Sequence, residues 1–315
     1  MSFAAMMLIA VALDLAFGWP PRIYAVMGHP VTWIGALINM LDRKLNRESD
    51  SFSRRKLAGV AVAVICIGLV AGLATILQGL AMGWVGILVS GVIAWPFVAM
   101  RSMYKHVAAV ADPLMQSDLP AARQAVSMIV GRDTRDLDEA AVARAALESL
   151  AENTSDGIVA PLFWGLIFGL PGIATYKAIN TLDSMIGHRS ARFEAFGWAS
   201  ARIDDMVNLL ASRLTGLMFA AVSGRPRRAI TTMRRDAPRH RSPNAGWPEA
   251  AMAAGLQVRL SGPRVYADGI ADELWVNDGA ADPCAADLLR GLALYVRAMI
   301  LGVAALLAFA ILQGI

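Results

Sequence analysis

The chain has 315 residues, 57% of them hydrophobic and only 17% charged, with a mean hydropathy of +0.51. Soluble domains carry about 25% charged residues, so an ordinary water-soluble enzyme is excluded in favour of a lipid-embedded chain. The net charge of +4 and the pI near 9.3 do not point to nucleic acid, because the basic residues gather beside apolar runs, as membrane topology predicts.

The first apolar run, 3–19, reads as a transmembrane helix. It lacks a basic lead-in and ends in Gly18-Trp19-Pro20-Pro21 rather than a small-residue cleavage site, so no cleavable signal is expected. Asp14 lies inside it as a weak candidate for a site-facing carboxylate, and His29-Pro30 follows, where a lone histidine more often packs or hydrogen-bonds than catalyses. Arg43, Lys44, Arg47, Arg54 and Arg55 place the stretch before Lys56 in the cytoplasm and the N-terminus outside. From Leu57 to Met100 there is no Asp, Glu, Lys, Arg or His. A spanning helix needs about 20 apolar residues, so two are expected, at 57–77 and 80–100.

Residues 114–152 are helical in composition and polar enough for water. Asp133, Asp136, Asp138 and Glu139 suit the positive start of a helix running through Arg144 to Glu152, with Gly157 as its stop signal. Two weaker apolar segments, 158–176 and 206–222, are expected to be buried or re-entrant: the first contains Pro161 and Pro171, the second Asn208, Ser212, Arg213 and Thr215. The basic loop 225–241 should face the cytoplasm, 261–283 reads as irregular, and 292–312 is the last span, with Arg290 and Arg297 at its inner end. The expected fold is therefore all-α: one polytopic integral-membrane domain over 1–315 with four transmembrane helices, two buried or re-entrant apolar helices and cytoplasmic inserts at 101–157 and 223–290.

Three polar sets abut hydrophobic sequence, where ionisable groups are costly and so are functional candidates. Glu148, Glu152 and Asp156 are four apart and would form one stripe of a helix, with Asn153, Thr154 and Ser155 between the last two. Three like charges on one stripe ask for a cation, and Mg²⁺ is the natural one. Asn180, Asp183, Ser184 and Gly187 share a face if 174–187 is helical, with Lys177 one turn earlier as a point charge for phosphate. Asp204 and Asp205 point about a hundred degrees apart on a helix. Both neighbour Asn208, and one of them is expected to meet Arg202 or Arg213. A fourth set, Arg239 to Glu249 with His240 and Asn244, suits phosphate or carboxylate recognition, although basic loops at this surface are as often topology signals or anionic-lipid contacts. No P-loop, Gly-x-Gly-x-x-Gly, zinc spacing or nucleophile elbow is present in the sequence.

The blocks His29-Pro30-Val31 with Trp33-Ile34-Gly35, Glu148 to Gly157 with Ala160-Pro161, Tyr176 to Met185, Gly197 to Arg202 and Ser242 to Glu249 resemble, in order and wording, the adenosylcobinamide-phosphate synthase family, the membrane amide ligase of cobalamin assembly. The likeness runs from near the N-terminus to about residue 270. The family usually has an acidic residue in the Gly-x-Pro turn after the first helix, where this chain has Trp19, which argues against a metal role there. The resemblance implies that a carboxylate of adenosylcobyric acid is joined to aminopropanol phosphate, or a close amino-alcohol relative, with ATP and Mg²⁺. With that chemistry, Glu152, Asp183, Asp205 and Lys177 are the catalytic candidates. Glu152, Asp156, Asp183, Asp204 and Asp205 are the metal candidates. Asn153, Ser155, Asn180, Arg202, Arg239, His240 and Asn244 are the candidates for binding substrate and phosphate. The expected setting is the inner face of the cell membrane, with the three acidic sets meeting in one cavity and an oligomer allowed. Two rivals stay open: a Mg-dependent intramembrane prenyltransferase, suggested by Asn180-x-x-Asp183 and Asp204-Asp205-x-x-Asn208, and a non-catalytic membrane sensor on the same scaffold.

Overall fold

In a stretch that water cannot solvate, every backbone amide has to be satisfied within its own segment, and helices do this. The computed structural model describes residues 2–131, 133–266, 269–271 and 273–313. Its helices in chain order are α1 (Phe3–Phe17), α2 (Pro21–Met27), α3 (Pro30–Leu45), α4 (Phe52–Leu80), α5 (Gly83–Ala94), α6 (Met100–Met115), α7 (Leu119–Ser127), α8 (Glu139–Thr154), α9 (Ala160–Phe168), α10 (Leu170–Ile186), α11 (Trp198–Val207), α12 (Leu209–Val222), α13 (Pro226–Asp236), α14 (Gly246–Leu256) and α15 (Ala285–Leu312). A π turn covers Ser155–Val159. The strands β1 (Leu260–Ser261), β2 (Arg264–Tyr266), β3 (Gly269–Ala271) and β4 (Trp275–Val276) form two short antiparallel ribbons, β1 with β4 and β2 with β3. The fold is all-α apart from these ribbons, which stand where the sequence suggested irregular loop.

Phe52–Leu80, Gly83–Met115 and Ala285–Leu312 are long and apolar enough to cross a membrane, and they contain three of the four expected spans. Only 22% of the most apolar window of α4 is buried, and an all-round apolar helix left that exposed requires lipid. The first expected span, 3–19, needs correction. α1 ends at Phe17 after 15 residues, about 22 Å of helix against a hydrocarbon core of about 30 Å. It reaches spanning length only together with Pro21–Leu45, across a bend of 109°, because Pro20 and Pro21 forbid a continuous path. Trp198–Val207 with Leu209–Val222 is a second such broken pair.

The segment 158–176 behaves as its prolines require. α9 and α10 are separated at Gly169, whose φ of +70° is the left-handed conformation glycine tolerates, and the Leu170 N–H donates to Gln78 Oε1 at 2.7 Å. Asp138 caps α8 by accepting from the Ala141 N–H at 2.7 Å, within the acidic lead-in expected at the start of this helix. Gly157 is not a stop: it lies inside the π turn that follows α8.

Two compact units emerge, one of residues up to Ala99, Ala160–Asn208 and from Leu306 onward, the other of Met100–Val159 and Leu209–Ala305. In the first unit α10 is the hub, packing on α3, α4, α9 and α11. Ile34, Ile38, Val62, Cys66, Leu182, Ile186 and Phe196 form its core. In the second unit the hub is α14, buried on nearly every side between α8, α12 and α13, so any polar residue it carries is placed at the centre.

Candidate active site

In the first unit, α10 and α11 bring the second and third polar sets together. Asp204 is buried, and its Oδ2 accepts from Asn208 Nδ2 at 2.9 Å, the i, i+4 pairing that the spacing suggested. Asn208 in turn accepts at Oδ1 from the Tyr176 hydroxyl at 2.8 Å. Among the described residues Asp204 Oδ1 is buried with no hydrogen bond of ordinary geometry, although the Asn180 side chain acts on the carboxyl as a donor, and an under-satisfied buried acceptor costs about 1–3 kcal/mol. Asp183 and Asp205 lie within electrostatic reach of Asp204. Burial, then the charge of Asp205, push the Asp183 carboxyl above its ordinary value, against a smaller opposing effect of His188. Gly187 makes room for this group: a Cβ there would stand 2.0 Å from Asp183 Oδ1.

The cations around these acids sort themselves. Arg202 meets Asp205 at 3.5 Å, and Arg189 also acts on Asp205. Lys177 is half-buried and donates to Asn180 Oδ1 at 3.4 Å. Its charge also reaches His29, which the structure gives a capping role: His29 Nδ1 accepts from the Val31 N–H at 3.2 Å and the ring packs edge-on against Trp19. Beside Tyr176 an apolar cavity of about 290 Å³ is lined by Trp164, Phe168, Ile179 and Val207.

The second unit holds a different constellation. Glu249 sits on α14 at 2% exposure, accepts from Ser261 Oγ at 3.0 Å and faces His240 Nε2 at 3.5 Å. The Ser242 N–H reaches His240 Nδ1 at 3.1 Å and Ser242 O lies 3.3 Å from the same nitrogen, so either ring tautomer finds a partner at Nδ1. Glu148 also turns inward and accepts from the Ser261 N–H at 2.7 Å. His240 and Arg239 line a polar cavity of about 420 Å³ with Arg235, Asp236, Glu273 and Trp275. Arg144 and Arg259 stack on Trp275 and both bind Asp282, whose pKa these guanidiniums pull down to about 2, that of Arg259 foremost. Asn244, expected to bind substrate, accepts at Oδ1 from Ser212 and Arg213 at 3.2 and 3.3 Å, which pins its loop to α12. Arg213 therefore does not serve Asp205.

The set at 148–157 does not form one stripe. Glu148 is buried, Glu152 and Asn153 are exposed, and Ser155 and Asp156 fall in the π turn, where the i, i+4 register lapses. Asn153 Nδ2 donates to Ser149 O at 3.0 Å, a local bond, whereas Ser155 Oγ is buried without a hydrogen-bond partner. Glu152 and Asp156 belong to the second unit and Asp183, Asp204 and Asp205 to the first. Among the described residues no group of three or more His, Cys, Asp or Glu side chains is disposed to hold a metal ion by itself. Mg²⁺ asks for less, because it keeps several waters and takes one or two carboxylates plus substrate phosphates. Asp183 with the under-satisfied oxygen of Asp204 fits that demand.

Sequence reasoning missed Tyr176, Ser261 and the Asp42 cluster. Asp42 is buried, binds Arg192 at 2.7 Å and accepts from Asn46 at 2.9 Å. An acid amid Arg43, Lys44 and Arg47 is the one signal that could have flagged it.

The family model described as CobD/Cbib protein matches residues 7–295. The cobalamin biosynthesis protein CobD of Rhodobacter capsulatus is 64% identical over 300 residues, covering 95% of both chains. The protein of the same description from Sinorhizobium sp is 44% identical over 309 residues, 95% of this chain and 96% of that one. The one from Geobacter metallireducens is 44% identical over 275 residues, 83% and 82% of the two chains. No solved structure matches the chain.

Proposed function

This chain belongs to the CobD/Cbib family, and we propose on that premise that it is an ATP-dependent amide ligase of cobalamin biosynthesis, working at the inner face of the cell membrane. The substrates are adenosylcobyric acid and an amino-alcohol phosphate. The observation that carries the reading is the buried and, among the described residues, under-satisfied Asp204 oxygen, beside Asp183 and Asp205. A buried acceptor of this kind persists where function needs it to meet a cation or donor.

A carboxylate resists attack by an amine until one of its oxygens can leave. Transfer of the γ-phosphoryl group of ATP to that oxygen gives an acyl phosphate and ADP. The amine lone pair then attacks the carbonyl carbon, the C–O bond to phosphate breaks, phosphate departs and a proton leaves the nitrogen. Bound Mg²⁺ would neutralise charge on the phosphoryl oxygens. Asp183 and Asp204 are the residues suited to hold it, with Asp205 kept in place by Arg202. Lys177 offers a point charge to phosphate, and Asn180, its hydrogen-bond partner, orients it. Asp183 is alternatively the base that takes the amine proton, in which case Asp204 holds the ion without it. Arg239 in the polar cavity of the second unit suits a substrate phosphate, with His240 fixed in that wall by Glu249. Glu152, exposed on α8, is retained as a second metal or base candidate.

The test is a coupling assay in detergent with adenosylcobyric acid, candidate amino-alcohol phosphates and Mg-ATP, followed by mass spectrometry. Amide product and ADP in equal amounts are expected. ATP turnover without amide, or binding without either, would reject the ligase.

A further inference from the structure

We propose that the second unit carries a binding site for the phosphate of an anionic phospholipid, in a cavity lined by Arg225, Arg290 and Arg297. The cavity holds about 330 Å³ and is completed by Ser223, Leu256 and Leu294. It brings together the start of α13, the end of α14 and one face of α15, on which Arg290 and Arg297 are seven residues apart and so nearly aligned.

Charge is the first argument. Arg290 is answered: it binds Asp287 and donates to Leu256 O at 2.8 Å, which fixes α15 to the end of α14. Arg297 donates through Nε to Ala293 O on its own helix at 3.2 Å, and the Arg225 side chain donates to none of the described residues. Among the described residues neither has an acidic partner. Three guanidiniums with one carboxylate around a single small cavity repel one another, and a phosphate, taking paired N–H donors in its plane, removes that repulsion.

Position is the second argument, and it selects the source. α15 is a helix long and apolar enough to cross a membrane. Leu289, Val296 and Ile300 beside the two arginines are exposed at 46%, 39% and 64%. A phosphate seated among the arginines would have its acyl chains against these residues. Basic pockets next to spanning helices hold acidic headgroups in this way. Free phosphate would use the same guanidiniums but not the apolar strip.

Native mass spectrometry of the full-length protein in detergent, with phosphatidylglycerol, phosphatidylcholine and inorganic phosphate as probes, decides the matter. Phosphatidylglycerol should be retained at least about tenfold more tightly than phosphatidylcholine and should resist displacement by equimolar inorganic phosphate. The double variant Arg225→Gln/Arg297→Gln should bind it about 30-fold more weakly, from roughly fivefold per basic residue near an anionic surface. Arg227→Gln/Arg228→Gln, on α13 but outside the cavity, should bind as the parent does. Should the first double variant fail to fold, Arg297→Gln alone should show the roughly fivefold loss. Equal retention of the two lipids, equal losses in the two double variants, or displacement by equimolar phosphate would each overturn the proposal.

Discussion

Two buried carboxylates, Asp204 in the first unit and Glu249 in the second, are treated differently by their surroundings. Glu249 is met by the Ser261 hydroxyl and His240, while the adjoining Ser261 N–H goes to Glu148. Asp204 has one oxygen held by Asn208, itself held by Tyr176, and among the described residues the other makes no hydrogen bond of ordinary geometry, the Asn180 amide being the further donor that acts on the carboxyl. Asp204 also bears the charges of Asp183 and Asp205. A saturated buried charge belongs to the scaffold, since removing its partners is what costs stability. A half-answered one is a standing cost to folding, tolerated where chemistry uses it. On the proposed reading the reacting groups lie in the first unit, and the His240–Glu249 pair frames a binding wall.

The sharpest way to break that comparison is to neutralise each acid. Asp204→Asn and Asp183→Ala should each lower amide formation by about 10³-fold, the scale of losing a preorganised electrostatic contact. The folded protein should become more stable, by about 1 kcal/mol, as burial cost and like-charge repulsion are relieved. Activity in the coupling assay and thermal unfolding in the same detergent check the two halves, and full activity in either variant would remove the site. Glu249→Ala should do the reverse, destabilising by about 3 kcal/mol because Ser261 loses its acceptor and His240 the carboxylate it faces. The protein that remains folded should keep at least a tenth of its turnover. A stable but inactive Glu249→Ala would move the chemistry to the second unit. Tyr176→Phe is a milder probe of how Asp204 is held: about 1 kcal/mol of stability for a buried hydrogen bond, read by unfolding, with turnover down about tenfold.

What the sequence disclosed and what it hid divide along the range of the interactions. Contacts within one helix were readable from spacing: Asp204 with Asn208 and Arg202 with Asp205. Partners far apart in the chain were not. Glu148 to Ser261 joins residues 113 apart, and nothing near Glu148 distinguishes it from Glu152, which stays exposed. The π turn at Ser155–Val159 was equally silent, because it is a change of backbone register that leaves no mark on residue type, yet it separates Asp156 from the stripe its spacing promised. Hydropathy marked the apolar run at 3–19 but not its short helix, since the length of α1 is set by prolines beyond its end. Tyr176 is hidden for a chemical reason: an aromatic ring in an apolar helix reads as core, and only its hydroxyl, bonded to Asn208, ties it to the site.

The smallest expected effect tests the frame of the second unit through pH. Asp282 is bound by Arg259 and Arg144, which also lie against the Trp275 ring in the cavity wall, and its pKa is drawn from 3.8 down to about 2. A carboxyl whose folded value is lowered stabilises the protein at every pH above its unfolded value, and the gain is lost as pH falls toward the folded one. The contribution is therefore complete above about pH 4 and vanishes toward pH 2. Because the side chain is 36% exposed, solvent screening reduces it to about 1 kcal/mol. Asp282→Asn should unfold earlier than the parent at pH 6, and the gap should close as the pH is brought from 4 to 2. A gap that persists at pH 2 would mean that Asp282 acts by packing on the two arginines rather than by charge.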